Sequence, residues 1–146
     1  MDWKIEATDK LKQYEAKRQS LQIIPLEIAQ IESTMTGIRS ARTDSIAIRN
    51  SGGNARENMM LSCIVRKEEL RRNIEQTELW VQAVTAALDM LNDDERKILD
   101  RMYIHREKKA ADRLAEELFV DLKTIYRWKD DALRKFTIAL YGVETS

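Results

Sequence analysis

The stretch LAEELFVDLKTIYRWKDDALRKF, residues 114–136, indicates how the C-terminal part of the chain folds. Apolar residues recur at helical spacing, stop at Phe119-Val120-Asp121, and resume among Lys, Tyr, Arg and Trp side chains. Such a pattern is typical of two helices with a short turn between them. We therefore predict helices at residues 108–118 and 122–140.

The residues around the turn fit a helix-turn-helix. In the first helix, Leu114 and Leu118 would face the core, and the small Ala115 would let the second helix cross closely. Val120 would be the apolar residue of the turn. Asp121 is a suitable N-cap for the second helix, because its carboxylate can accept hydrogen bonds from free backbone amides.

The second helix would face inward through Ile125 and Trp128, which lie three residues apart. Phe119 departs from the usual motif, which has glycine at this place. A left-handed backbone there would strain a Phe residue. Trp128 and Phe136 are interpreted as core residues, since aromatic stacking on bases mainly serves unpaired nucleotides.

The outward side of the second helix carries the predicted DNA contacts. Between residues 122 and 135, five basic side chains face two aspartates, a local excess of three positive charges. Arg127 would pair with a guanine edge, while Lys123 would reach bases or phosphates. The alternative is a solvated helix face with ordinary ion pairs inside KDDALRK. The candidate DNA-binding residues are Lys123, Thr124, Tyr126, Arg127, Lys129 and Arg134.

The segment LNDDERKILDRMY, which begins at Leu91, predicts the start of the C-terminal domain, residues 92–146. Asn92 would be an N-cap and Glu95 would complete a capping box. Asp93 and Asp94 suit the positive end of a helix. We interpret these carboxylates as helix-start residues and expect no metal site.

Residues 1–91 predict a coiled-coil-like helical hairpin that serves oligomerisation. Polar Lys10 and Lys17 occupy d positions, so the first heptads should pack loosely, and Pro25 should kink or break the helix. A polar loop near residues 43–58 would join the two helices, which pair within one chain or between chains. The a/d series is Ala7, Tyr14, Leu21, Ile24, Ile28, Ile31, Met35 and Ile38.

Composition excludes several classes of protein. No apolar run approaches the ~20 residues that cross a bilayer, and the N-terminus has no signal-peptide core. Cys63 is the only cysteine, so no intrachain disulfide forms, which suits the cytoplasm. His105 is the only histidine and is expected to be exposed and without a role. With no catalytic or phosphate-loop motif, we expect neither an enzyme nor a cofactor.

Two segments, LNDDERKILDRMY and ADRLAEELFVDLKTIYRWKDDALRKF, resemble region four of bacterial sigma factors, the helix-turn-helix that reads promoter DNA. The closing TIYRWKDDALRKFTIALYG is similar to small phage and prophage transcriptional regulators of the ArpU and RinA type, as is SGGNARENMM upstream. The resemblance covers residues 92–142, and the N-terminal part only in pattern. It implies DNA binding through the second helix and control of phage genes.

The leading expectation is therefore an all-α, phage-type transcriptional regulator in a bacterial cytoplasm. Its partners would be double-stranded DNA, RNA polymerase through the N-terminal hairpin, and a second or further copy of the chain. A formal net charge of zero weakens the DNA-binding expectation, because phosphate attraction dominates non-specific affinity. The alternatives are a phage DNA-packaging or structural protein, and a coiled-coil adaptor with no nucleic-acid role.

Overall fold

The computed structural model describes residues 2–44 and 53–143, and all regular structure in these two ranges is helical. A π-helical segment, Asp100–Ile104, continues directly from the third helix. The predicted all-α fold with two long N-terminal helices is confirmed. The helices are α1 (Trp3–Asp44), α2 (Gly53–Asp89), α3 (Asp93–Leu99), α4 (Ala110–Leu118) and α5 (Leu122–Tyr141).

The chain divides into two compact units, and the division differs from the boundary predicted at residue 91. Unit 1 comprises residues 1–18 and 79–146, and unit 2 comprises residues 19–78. Both long helices therefore contribute residues to both units. Unit 1 includes the beginning of α1 and the end of α2 because their apolar side chains are buried together with those of the C-terminal helices.

A buried apolar cluster, to which α1, α2, α3 and α5 all contribute, holds unit 1 together. Leu11, Leu99 and Phe136 are fully shielded from solvent. Burying a side chain of this kind contributes about 1.5–3 kcal/mol relative to leaving it exposed. A fragment that begins at residue 92 would lose part of this core. The other buried members are Ala7, Tyr14, Val84, Ala87, Leu88, Leu91, Ala132 and Leu133.

Within unit 1, α1 and α2 run antiparallel. The hydroxyl groups of Tyr14 and Thr85 share a hydrogen bond. Closer to the C-terminus of α1, the Nζ atom of Lys17 lies 5.7 Å from the centroid of the Trp80 ring. Residues that come later in α1 thus meet residues that come earlier in α2, as in the helical hairpin expected from the sequence.

The first heptads of α1 are more buried than their polar d positions led us to expect. Leu11, which lies next to Lys10 and outside the a/d series, is fully buried. The Nζ atom of Lys10 lies 4.7 Å from the centroid of the Tyr141 ring, a cation–π arrangement that accommodates the ammonium group. The expectation of loose packing was wrong, because Ala7, Leu11 and Tyr14 are buried and the ammonium group of each lysine lies over an aromatic ring.

Unit 2 buries few side chains. Among residues 19–40 and 54–78, only Ile31 and Met35 are buried. Ion pairs also join the two helices here, including Lys67 Nζ with Glu32 Oε1 at 3.0 Å. Exposed pairs of this kind contribute at most about 1 kcal/mol each. Packing within one copy therefore leaves most of the apolar stripe of unit 2 in contact with solvent.

Pro25 does not end α1, which is continuous from Trp3 to Asp44. Proline removes one backbone donor, so the carbonyl of Leu21 loses its usual partner. Pro25 is exposed and Leu21 is only half-buried, so solvent can reach this carbonyl. Of the kink or break predicted at Pro25, the break was wrong, because the loss of one backbone hydrogen bond does not interrupt a long helix.

The connection between α1 and α2 is shorter than the predicted loop, residues 43–58. Helix α1 continues through Asp44 and α2 begins at Gly53. The middle of the predicted loop, residues 45–52, lies outside the described residues. The ends of these helices could not be recognised from the sequence, because their residues are mostly polar and neither end has a distinctive apolar periodicity.

The beginning of α3 has the predicted capping box. The Oδ1 atom of Asn92 accepts a hydrogen bond from the amide of Glu95 at 2.8 Å, and Glu95 Oε1 accepts one from the amide of Asn92 at 3.1 Å. The buried Glu95 carboxylate also pairs with Lys135 Nζ of α5 at 2.8 Å. Burial alone would raise the pKa of Glu95, but the hydrogen bonds from Lys135 and Asn92 together hold it below its usual range.

Replacing Trp128 with Ala should destabilise the full chain. Trp128 is half-buried and packs against Ile98, Leu114 and Ile125, so the loss should fall somewhat below the ~3–5 kcal/mol of a fully buried Trp. Chemical denaturation of the purified protein measures this. The control is Tyr126→Ala, because the Tyr126 side chain is exposed and lies away from the core side of α5. Equal stability of the two variants would contradict a structural role for Trp128.

Replacing Glu95 with Gln should destabilise the chain in a pH-dependent way. Because the folded-state pKa of Glu95 is lowered from 4.5, its charge contributes stability above that pH and loses the contribution as pH falls below it. The difference in free energy of unfolding between parent and variant should be about 1–2 kcal/mol at neutral pH and shrink in acid. Denaturation at several pH values tests this, with the exposed Glu116→Gln as control. A difference that is constant with pH would refute it.

Candidate functional site

The candidate site is formed by α4, the three-residue turn Phe119–Asp121 and α5. Helix α4 ends because Phe119 adopts a left-handed conformation, with φ 57° and ψ 42°. The amides of Phe119 and Val120 both bond to the carbonyl of Ala115, the latter at 3.1 Å. The bond from Val120 is the longer bond of a Schellman helix end and the bond from Phe119 is that of the αL helix end, so the carbonyl of Ala115 is satisfied where the chain leaves α4.

Asp121 begins α5 as predicted. Its Oδ1 atom accepts a hydrogen bond from the amide of Thr124 at 2.8 Å, and its backbone is extended. Hydrogen bonds from the side chain and then the amide of Thr124, together with the positive charge of Arg127, hold the pKa of Asp121 below its usual range. The carboxylate is therefore ionised where the helix dipole favours a negative charge.

The inward side of α5 packs against a second apolar cluster of unit 1. Ile125 and Leu114 are fully buried there, together with Ile98 of α3. Trp128, Val120, Leu118 and Ala115 are half-buried against this cluster, on the side that the sequence predicted. The packing fixes the rotation of α5 and therefore determines which residues remain outside.

Charged residues also hold α4 in place. Arg101, in the π-helical segment, donates to Glu107 at 2.9 Å and to Glu117 of α4. Lys97 of α3 pairs with the same Glu117 at 3.0 Å. Hydrogen bonds from Lys97 and Arg101 lower the pKa of Glu117, so this carboxylate keeps its charge. The network joins α3, the π-helical segment and α4, and thereby supports the turn that follows α4.

Three of the predicted contact residues form an exposed basic stripe on α5. Lys123, Arg127 and Arg134 are four and seven residues apart, which places them on one face of the helix. All three are exposed, and Lys123 and Arg134 make no ion pair with any described residue. Asp130 lies in the same stripe between the two arginines. We refer to Lys123, Arg127 and Arg134 as the basic stripe.

The other three predicted contact residues are placed differently. Thr124 is half-buried and bonded to Asp121, so it serves the helix cap. Lys129 pairs with Asp130 at 3.1 Å and lies 5.7 Å from the centroid of the Tyr126 ring. Tyr126 itself is exposed beside the basic stripe. The six predicted contact residues thus comprise three exposed cations, one exposed aromatic ring and two residues that bond to other groups of the protein.

Sequence reasoning missed the exposure of Phe119. Its side chain is 94% exposed, the largest value among the exposed apolar side chains of the described residues. A left-handed backbone costs about 1–2 kcal/mol in residues other than Gly. The sequence did indicate backbone strain at this position, since Phe occupies the place where glycine is usual. Its consequence, that the side chain points away from the core, required the geometry of the turn.

His105 has the partners that the sequence could not reveal. Its Nδ1 lies 2.7 Å from Asp100 Oδ1, and its Nε2 lies 3.4 Å from Glu15 Oε2. The hydrogen bond with Asp100, followed by the negative charges of both carboxylates, raises the pKa of His105. His105 is exposed, as expected, and the π-helical segment places its ring beside Asp100 and Glu15 of α1.

The described residues hold no group of three or more side chains suited to bind a metal ion. Within residues 2–44 and 53–143, none of the helices combines the length and apolar character that a bilayer crossing requires. Comparison with known proteins gave no match: no family fits the chain, and no curated protein or solved structure is similar to it.

Proposed function

We propose that the chain binds double-stranded DNA through α5 and acts as a phage-type transcriptional regulator. The observation that carries the proposal is the two-sided character of α5: Ile125 is fully buried, whereas Lys123 and Arg127 are exposed in the first two turns. In helix-turn-helix proteins, this part of the second helix enters the major groove. A capped, packed helix with exposed cations at its beginning suits that position.

The residues of the basic stripe would have distinct roles. The planar guanidinium group of Arg127 can bond to two acceptors of guanine, which gives sequence preference. Lys123 is a mobile point charge and suits a phosphate, which gives affinity without sequence preference. Thr124 and Lys129 would contribute indirectly, since both are bonded within the protein. The role of a binding protein also agrees with the absence of a catalytic motif in the sequence.

The assignment to gene regulation rests on the resemblance of residues 92–142 to phage regulators and to sigma-factor region four. Regulation would occur in the cytoplasm of a bacterial host, with RNA polymerase as a further partner. A DNA-packaging protein would instead form a large ring in solution, and a coiled-coil adaptor would have no salt-dependent affinity for DNA. A genome-wide map of binding sites distinguishes a regulator, which would occupy a bipartite operator.

Arg127→Ala should weaken binding to the preferred duplex by ~1–3 kcal/mol and relax the base preference at one position. Lys123→Ala should weaken binding to all sequences and reduce the slope of log affinity against log salt by about 1. The measurement is fluorescence anisotropy of the full chain on a duplex selected from a random library. Arg72→Ala, which removes an exposed cation from α2, is the control. Parent-like binding by both variants would refute the proposed role of α5.

A second part of the proposal is that two copies associate through unit 2. Ile23 and Leu26 of α1, and Leu61, Ile64 and Val65 of α2, are exposed in a single copy. Two-helix hairpins of this kind are commonly completed by a second hairpin, which forms a four-helix bundle. Trp3 and Trp80 contact Tyr141 and Lys17, respectively, within unit 1.

Leu26→Glu or Val65→Glu should convert the dimer into a monomer, because each places a charge among apolar side chains at the interface. Linked copies gain ~10²–10⁴ in avidity when both reach a half-site, so the monomeric variants should lose DNA affinity by part or all of that factor. Analytical ultracentrifugation gives the oligomeric state. Met90→Glu, at an exposed apolar site of unit 1, is the control. A parent protein that sediments as a monomer at micromolar concentration would contradict the dimer.

A further inference from the structure

The side chain of Phe119 has no role in the fold of the described protein. It is 94% exposed, and its backbone occupies the left-handed region, which glycine adopts without strain. The turn itself depends on backbone hydrogen bonds to Ala115, which any residue except proline can make at this position. Both the exposure and the conformation disfavour phenylalanine here. Backbone strain of this kind is often retained at functional positions.

Phe119 belongs to an apolar strip at the beginning of α5. Leu122 and Tyr126 are 40% and 45% exposed and lie one helical turn apart, on the same face of α5. Phe119 precedes Leu122 by three residues in the turn. We refer to these three residues as the apolar strip. The apolar strip runs along the same part of α5 as Lys123 and Arg127 of the basic stripe. A partner that contacts the apolar strip therefore also contacts the basic stripe.

The neighbouring cations determine which partner fits the strip. Lys123 and Arg127 favour an anionic surface, and the partner must also present apolar groups beside its negative charges. The major groove of DNA does so, because the 5-methyl group of thymine lies between the two phosphate backbones and accepts apolar contacts from side chains such as Phe. A purely apolar protein surface would leave both cations without partners.

We propose that Phe119, with Leu122 and Tyr126, contacts thymine methyl groups in the major groove next to the bases and phosphates bound by Arg127 and Lys123. The inference rests on the proposed DNA-binding function and adds a base preference to it. Phe119 is thus a specificity-determining residue that reads thymine by apolar contact, whereas Arg127 reads guanine by hydrogen bonding.

The test replaces Phe119 with Gly in the full chain and measures both binding and stability. Binding is measured on the selected duplex and on duplexes in which each thymine is replaced in turn by uracil, which lacks the methyl group. The parent should lose about tenfold in affinity at one or two thymines. Phe119→Gly should bind the thymine duplex about as weakly as the parent binds the uracil duplex, and should no longer distinguish the two. Its melting temperature should equal or exceed that of the parent.

A matched control comes from the other left-handed residue of the described chain that is not glycine, Lys109, at φ 56°. Lys109→Gly relieves the same kind of backbone strain, yet it should leave the thymine-to-uracil affinity ratio unchanged. An unchanged ratio in Phe119→Gly, or a parent that ignores every thymine methyl group, would overturn the inference while DNA binding stands. A lower melting temperature of Phe119→Gly would overturn it too, because the side chain would then be structural. Absence of any salt-dependent duplex affinity in the parent would instead overturn the proposed function.

Discussion

The burial of Phe136 in one apolar cluster with Leu11 and Leu99 is the interaction on which unit 1 depends. It joins α5 to α1 and α3, and so fixes the position of α5 independently of any charged residue. Once the inward side of α5 is fixed, the rotation of the helix leaves Lys123 and Arg127 in solvent. The electrostatic properties of the site are therefore a consequence of apolar packing several turns away.

In the turn between α4 and α5, the backbone geometry does not depend on the chemistry of the Phe119 side chain. Hydrogen bonds to the carbonyl of Ala115 and the cap by Asp121 define the path of the chain. Neither requires a particular side chain at Phe119, so this position is free to serve recognition at some cost in stability. The ion pairs of Arg101 with Glu107 and Glu117 stabilise the preceding helix against that cost.

Local features of the fold could be predicted from the sequence, whereas contacts between distant segments could not. Asn92 and Asp121 were recognisable as caps because capping depends on residues within one turn. The side of α5 that is buried followed from the spacing of Ile125 and Trp128. In contrast, nothing local indicates that Leu11 meets the C-terminal helices or that Lys10 covers Tyr141. The exposed basic stripe was predictable as a set of residues, but the internal bonds of Thr124 and Lys129 required the three-dimensional arrangement.

The contact between Trp3 and Tyr141 has a consequence for the order in which the chain folds during synthesis. Trp3 leaves the ribosome long before Tyr141, so unit 1 cannot be completed until Tyr141 has been translated. Unit 2, residues 19–78, is continuous in sequence and can form its helices earlier. Until α5 emerges, the apolar face at the beginning of α1 is only partly covered, by residues of α2 and α3 that belong to the same cluster. Nascent chains translated from the same messenger RNA could meet through these faces, so slow translation of the last helix would favour aggregation of incomplete chains.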